Sequence, residues 1–314
     1  MALRLTTILN RREFSRLCAA AGASVMASKA SALDPAPGGA PGDAKRTVKL
    51  RDGRLAPALG QGSARLDKGR HPAAEEEQAL RAGLELGMTL IDTAELYGSE
   101  EFIGRVIAGQ RDRIFLVSKV WPNHVAGNGI ARACEGSLAR LGTDHLDLYL
   151  LHWPTGVSDF GHVVRGFEEL HASGKIRAWG VSNFKVSDME KLFKLPQGDR
   201  CAINQVPYSL DDRAVERDLL AWCERHDIPI MAYSPLGGPG AKLLRNSTLG
   251  RIAGAHGCSP AAVALAWTMR SGRAISIPES GSLAHVKENA AALSLALTAP
   301  DLQALDAAFP PPGR

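Results

Sequence analysis

Charged and hydrogen-bonding residues stand directly behind a series of short apolar runs in this chain. In order they are Asp92, Lys119, His152, Ser182 with Asn183, Gln205, Tyr233, and the group Pro278-Glu279-Ser280. A carboxylate, an ammonium and an imidazole are groups that hold and transfer protons. The hydroxyls and amides add hydrogen-bonding capacity. Taken singly, a lysine in such a place is usually solvated and a histidine usually packed into a core. Their recurrence in chain order, one behind each run, points to a common site, because parallel barrels gather their chemistry at the C-terminal ends of several strands. Neither paired carboxylates nor a metal-ligand spacing occurs at these ends, which argues against a barrel isomerase or hydrolase and against a metal centre.

The runs themselves set the architecture. Thr47–Leu50 and Leu55–Ala58 flank Asp52-Gly53, the signature of a hairpin turn. Eight candidate strands follow: Leu59–Gly62, Leu90–Asp92, Ile114–Lys119, Leu146–His152, Ala178–Ser182, Ile203–Val206, Ile230–Tyr233 and Ile275–Pro278. Helical patterns lie between them, among them Ala74–Leu86, Ala131–Leu141, Val163–Ser173, Val215–Arg225 and Pro260–Ser271. Repeated strand–helix units imply a parallel sheet, and eight of them suggest closure. The expected fold is therefore α/β, a (β/α)8 TIM barrel with an N-terminal β-hairpin. An open doubly wound sheet is the rival, but no G-x-G-x-x-G fingerprint follows an early strand.

Five segments make the site specific. Leu90-Ile91-Asp92-Thr93-Ala94-Glu95-Leu96-Tyr97-Gly98 resembles the first signature of the aldo-keto reductase family. Leu146 to Pro154, Gly180-Val181-Ser182-Asn183-Phe184, Asn204-Gln205 and Ala232-Tyr233-Ser234-Pro235-Leu236-Gly237 resemble later ones, in the family's order. The likeness runs from about Val48 to Phe309. It implies NAD(P)H-dependent reduction of aldehydes or ketones by a tetrad of Asp92, Tyr97, Lys119 and His152. Tyr97 would be the general acid that protonates the carbonyl oxygen. A free tyrosine titrates near ~10, and a neighbouring ammonium, Lys119, favours the phenolate. Asp92 would hold Lys119, and His152 would orient the carbonyl. A nicotinamide-binding sensor with little turnover is the alternative; the complete tetrad argues for the enzyme.

The same resemblance implies the cofactor contacts. Ser182, Asn183 and Gln205 would bond the nicotinamide carboxamide, and Tyr233 would stack on its ring. Ser234 and Leu236, with the glycine-rich loop behind them, would approach the pyrophosphate. Gly62 and Ser63 would line the ribose, and Asn289 would meet the adenine. Trp121 and Trp153, with His152, would wall the substrate pocket. Ser280 and Glu279 fall where the family has Ile-Pro-Lys-Ser and its lysine meets the 2′-phosphate of NADPH. Glu279 would repel that phosphate and accept from a free ribose 2′-hydroxyl. A loss above ~1.4 kcal/mol is tenfold in affinity, so NADP(H) is expected from the family and NAD(H) use from Glu279. His285 and Lys287 flank this region, and Lys287 offers a compensating cation. The segment after Pro154 is short and the chain ends soon after Phe309, so the pocket is expected to be shallow and open, suited to small aldehydes or dicarbonyls.

Of the 314 residues 45% are apolar, and the formal net charge is +4. Residues 1–32 hold Arg4, Arg11, Arg12, Arg16 and Lys29 against Glu13, leaving 32 basic and 32 acidic residues beyond them. The body therefore offers no charge argument for a nucleic-acid or membrane partner. No run of 18 apolar residues exists to span a bilayer. Arg11-Arg12, the weakly apolar Leu17–Ala27 and Ala30-Ser31-Ala32 read as a twin-arginine-type signal peptide over 1–32, cleaved after Ala32. Residues 33–45, with Pro35, Pro37, Gly38, Gly39, Pro41 and Gly42, read as a flexible linker. The reductase domain then covers 46–314. The expected setting is periplasmic or exported through the twin-arginine translocation machinery, or cytoplasmic where that signal does not work, as a monomer. Cys134, Cys201, Cys223 and Cys258 lack ligand spacing and read as packed thiols.

Overall fold

The computed structural model describes residues 46–238 and 240–313. The expected signal peptide and linker lie outside the described residues.

Asp52 and Gly53 turn the chain between β1 (Thr47–Lys49) and β2 (Leu55–Pro57), which pair antiparallel with Val48 opposite Ala56. Gly53 takes φ of 90°, a conformation that a Cβ opposes. Eight parallel strands follow: β3 (Gly60–Gly62), β4 (Leu90–Asp92), β5 (Phe115–Val120), β6 (Leu148–Leu151), β7 (Trp179–Ser182), β8 (Asn204–Pro207), β9 (Ile230–Tyr233) and β10 (Ala274–Ser276). Each pairs with its neighbour in sequence. Bridges Leu59–Ser276 and Gly62–Glu279 join the last strand to the first and close the cylinder. This is the expected (β/α)8 barrel with its hairpin.

The helices are α1 (Ala73–Glu85), α2 (Glu100–Ile107), α3 (Gly129–Leu141), α4 (Phe160–Ala172), α5 (Val186–Phe193), α6 (Leu219–Arg225), α7 (Ser247–His256), α8 (Pro260–Thr268), α9 (Leu283–Ala290) and α10 (Ala299–Ala308). Their starts follow from local chemistry. Asn246 and Ser259 accept backbone N–H groups of the first turns of α7 and α8, and Thr298 with Asp301 forms a capping box on α10.

Strand pleating explains where the core and the site sit. Leu90, Val117, Leu148, Leu150, Ile203, Met231 and Ile275 share one buried cluster. Their sequence neighbours Ile91, Leu116, Tyr149, Leu151 and Ile230 belong to another, with Phe102, Phe167 and Trp222 from the helices. Successive residues of a strand face opposite sides, so the first set fills the barrel and the second packs beneath the helices. The hairpin residues Val48, Leu50 and Ala56 join the interior cluster, and Arg51 N–H donates to the Ala202 carbonyl just before β8. The hairpin thus stops the N-terminal end of the barrel and leaves the C-terminal end for chemistry.

Two of the departures from the expected bounds have a clear physical cause. Val215–Arg225 divides into a 3-10 turn, Ala214–Glu216, and α6 beginning at Leu219. Arg213 explains the break: its guanidinium bonds Glu216 at 2.7 Å, Asp306 at 2.7 Å and the Phe309 carbonyl at 2.6 Å, which ties the turn to the C-terminal helix. The last strand ends at Ser276 rather than Pro278, since a proline has no N–H for the ladder.

Candidate active site

On five of the strands the inward apolar series leads, two residues later, to a polar side chain. Asp92 follows Leu90, Lys119 follows Val117, His152 follows Leu150, Gln205 follows Ile203 and Tyr233 follows Met231. The period of two therefore carries these five side chains into one place.

Lys119 lies at the centre of that place and is fully buried. Its Nζ donates to Asp92 Oδ1 at 2.6 Å, to the Thr93 carbonyl at 2.9 Å and to Tyr97 Oη at 3.3 Å. The ammonium also sits 4.7 Å from the centre of the Tyr97 ring. Tyr97 Oη and His152 Nε2 are 3.5 Å apart. The phenol, ammonium, carboxylate and imidazole expected to converge thus form one contact chain. Tyr97 is half-buried, while Asp92, Lys119 and His152 are buried. Tyr97 ends a 3-10 turn, Glu95–Tyr97, and Gly98 leaves it at φ of 65°, which reverses the chain behind the phenol.

Burial decides the charge states. It lowers the Lys119 pKa from the usual lysine range, and the Asp92 carboxylate opposes that shift. Burial, helped by the Lys119 charge, holds His152 well below the usual imidazole range. At neutral pH His152 is therefore uncharged, and its Nε2 can serve as a neutral hydrogen-bonding group beside the phenol.

Several of the residues expected to meet a cofactor adjoin this cluster. Gln205 Nε2 donates to Asp92 Oδ2 at 2.7 Å, so Asp92 is held from both sides. Asn183 Nδ2 donates to the His152 carbonyl and to Ser182 Oγ, each at 3.0 Å. Tyr233 Oη donates to Asn183 Oδ1 at 2.9 Å. Asn183 and Ser234 take φ of 64° and 49°. Such values in non-glycine residues cost energy and cluster at ligand clamps. Ser63 Oγ donates to the Asp92 carbonyl at 2.9 Å, and Gly62 N–H donates to the Pro278 carbonyl at 2.9 Å. Ser234 is exposed, Leu236 half-buried and Asn289 buried in α9. Ser280 Oγ accepts from Ser282 N–H at 3.1 Å, at the start of that helix.

Glu279 is engaged in a way the sequence did not foretell. Its carboxylate accepts from Arg65 N–H at 2.8 Å, Arg65 Nε at 3.1 Å and Arg70 Nη1 at 3.3 Å. Two guanidinium groups around one carboxylate leave a local excess of one positive charge. The acceptor expected for a ribose hydroxyl is already committed, and the expected repulsion of a phosphate is offset.

The Trp121 and His152 rings stand nearly perpendicular, with 5.3 Å between their centres. Trp153 is half-buried, and its Nε1 has no hydrogen-bond partner among the described residues. Two contributors escaped the sequence reading: the Thr93 carbonyl, a backbone group, and Glu95, which lies inside the Leu90–Gly98 segment. Cys134, Cys201 and Cys223 are buried with thiols pushed up to about 12, so they remain protonated at neutral pH. A hollow of about 400 Å³ bordered by Arg51, Trp179 and Asp227 opens at the opposite, hairpin end of the barrel, away from this chemistry.

The family model for the aldo/keto reductase family matches residues 58–309. The chain belongs to this family. It is an NAD(P)H-dependent oxidoreductase. This aldo/keto reductase is 47% identical over 262 residues to the methylglyoxal reductase YeaE of Escherichia coli, a match covering 82% of this chain and 92% of that one. It is 36% identical to the glyoxal reductase of Bacillus subtilis, over 85% of this chain and 94% of that one. Among solved structures, an aldo/keto reductase from Klebsiella pneumoniae in complex with NADP and acetate matches with a TM-score of 0.81 at 44% identity, covering 86% of this chain and 98% of that one.

Proposed function

We propose that this chain reduces small aldehydes and ketones, dicarbonyls such as methylglyoxal included, with NADPH. The observation that carries the reading is the contact of Tyr97 Oη with both Lys119 Nζ and His152 Nε2 at the mouth of the barrel. The relatives named for methylglyoxal and glyoxal, and the neighbour bound to NADP, support the substrate class and the cofactor.

The residues present suit a nicotinamide. Tyr233 offers a half-exposed aromatic ring at the barrel mouth. Ser182, Asn183 and Gln205 offer a hydroxyl and two amides beside it, as a carboxamide needs. Gln205 gives its nitrogen to Asp92 and so presents its oxygen as the acceptor. Ser234 and Leu236 would border the phosphates, with Gly62 and Ser63 on the ribose side. Bound NADPH supplies the hydride that the carbonyl carbon receives.

The protein's own part is the proton. Tyr97 gives its phenolic proton to the carbonyl oxygen as the C=O π bond opens, and one proton from solvent restores the phenol. The sum is carbonyl, NADPH and a proton to alcohol and NADP⁺. Lys119 stabilises the phenolate that develops, through its charge at hydrogen-bond distance. Asp92 keeps the ammonium aimed, and Gln205 keeps Asp92 aimed. Neutral His152 bonds the carbonyl oxygen and sets its direction, and the Trp121 ring walls the gap.

Tyr97→Phe is the direct test. Loss of a positioned general acid typically costs ~10²–10⁴ in rate. Turnover of methylglyoxal should fall in that range while NADPH binding, read by fluorescence, stays within a factor of two or so. Undiminished turnover would remove the acid role and favour a binding module over an enzyme.

We also read residues 1–32 as a twin-arginine-type export signal and 33–45 as the linker to the reductase domain. The Arg11-Arg12 pair and Ala30-Ser31-Ala32 support this. Intact mass of exported protein should begin at Leu33; a mass that begins at Met1 contradicts it.

A further inference from the structure

Glu95 belongs to none of the roles above. It opens the 3-10 turn that ends on Tyr97. Its Oε1 accepts the Trp121 backbone N–H at 2.6 Å and lies 3.0 Å from His124 Nδ1. The carboxylate side chain is only 10% exposed, whereas His124 is 56% exposed. Trp121 precedes the second turn, Pro122–His124, which follows β5. One carboxylate therefore fastens the turn behind β4 to the turn behind β5.

Those two turns flank the same imidazole. Tyr97 sets its ring edge-on to His152 at 5.4 Å between centres, and Trp121 does so at 5.3 Å. The distance between the walls of the carbonyl gap is thus fixed by whatever joins the turns. The phenol has its own anchors in Lys119 and His152, but the Trp121 backbone has this carboxylate. A short bond from a backbone N–H to an ionised acceptor is among the stronger hydrogen bonds.

We propose that Glu95 is a positioning residue that fixes the aperture between Tyr97 and Trp121 and so selects small carbonyl substrates over bulky ones. The inference rests on the carbonyl-reductase reading of the site. Without the clasp, Trp121 and its turn relax away from His152. A small dicarbonyl then loses a wall that it needs, whereas an aromatic aldehyde loses little or gains room. The Lys119–Tyr97 contact does not pass through Glu95, so the chemical step is largely preserved.

The experiment is a comparison of methylglyoxal and benzaldehyde with Glu95→Ala, Glu95→Gln and wild type, with NADPH saturating. Losing a hydrogen bond to a charged group is worth about tenfold or more. For Glu95→Ala, KM for methylglyoxal should rise about tenfold, with kcat within about threefold. KM for benzaldehyde should stay level or fall, and NADPH affinity by fluorescence should not change. Glu95→Gln retains an oxygen for the Trp121 N–H and should fall between alanine and wild type, and it carries the test alone if the alanine variant does not fold. A purely structural residue would lower the active fraction, and with it the apparent kcat for both aldehydes alike. An unchanged KM ratio in both variants, or an equal loss on both aldehydes, overturns the proposal while leaving the reductase reading intact. A wild type that binds NADPH but reduces neither aldehyde overturns both.

Discussion

Replacing Lys119 by methionine should expose the cost of a charge left alone inside the barrel. The lysine side chain is 0% exposed and that of Asp92 4%, and they meet at 2.6 Å. With the ammonium gone, Gln205 Nε2 remains as a side-chain donor to Asp92, and one amide does not balance a buried carboxylate. Breaking a buried pair by removing one partner typically costs about 3–5 kcal/mol. Methionine nearly conserves the volume, so cavity formation adds little. In the double variant Asp92→Asn with Lys119→Met no charge is stranded, and it should be more stable than Lys119→Met alone. The implied coupling between the positions is about 1–3 kcal/mol. The assay is urea unfolding followed by tryptophan fluorescence on the four corners of the cycle, with thermal melts as a second reading. For a barrel of this size each kcal/mol moves the midpoint by roughly 2–4 °C. A single variant within about 1 kcal/mol of wild type would refute the reasoning. So would a double variant equal to the sum of its singles, since the two groups would then not depend on one another.

Gly180 in β7 should not tolerate a methyl group, because a Cβ there would stand 2.6 Å from the Ile203 carbonyl and 2.9 Å from Ile203 Cγ2. Gly180→Ala is expected to cost about 1–3 kcal/mol by overpacking, read by chemical unfolding; a variant as stable as wild type contradicts the tight contact. Acid should weaken the fold through His152. The unfolded imidazole takes a proton near ~6.5, while the buried one resists it to well below that. Its contribution is therefore intact above about 6.5 and is lost as pH falls toward the lowered folded value. Unfolding free energies at pH 7.5 and 5.5 should differ more in wild type than in His152→Gln. An equal difference in the two proteins would mean that the imidazole titrates normally.

Much of this arrangement was legible because strands have a period of two. The runs ending in Asp92 and Tyr233 gave β4 and β9 to the residue. Where strand bounds moved, they moved by one or two positions, as Leu146–His152 did on becoming Leu148–Leu151. The polar residue behind each apolar run was the signal, and the barrel brings those ends together. Glu279 was not legible in the same way. Its meaning depends on Arg65 and Arg70, which stand 214 and 209 positions away, and no local pattern announces a pairing at that range. Glu95 was hidden for another reason: its partner is a backbone N–H, which every residue except proline possesses.

The wall of the barrel is not equally stitched all the way round. Neighbouring strands from β3 to β10 share ladders, but the join of β10 to β3 is made by two isolated bridges, with Ser276 N–H to the Ala58 carbonyl and Gly62 N–H to the Pro278 carbonyl. Its two edges also come from opposite ends of the domain, so this join carries the largest loop-closure entropy. The ring is in effect split along one line and buckled there by Glu279, Arg65 and Arg70. Hydrogen exchange should find its earliest sub-global opening along that line, at the rim where a phosphate-bearing molecule would come to rest.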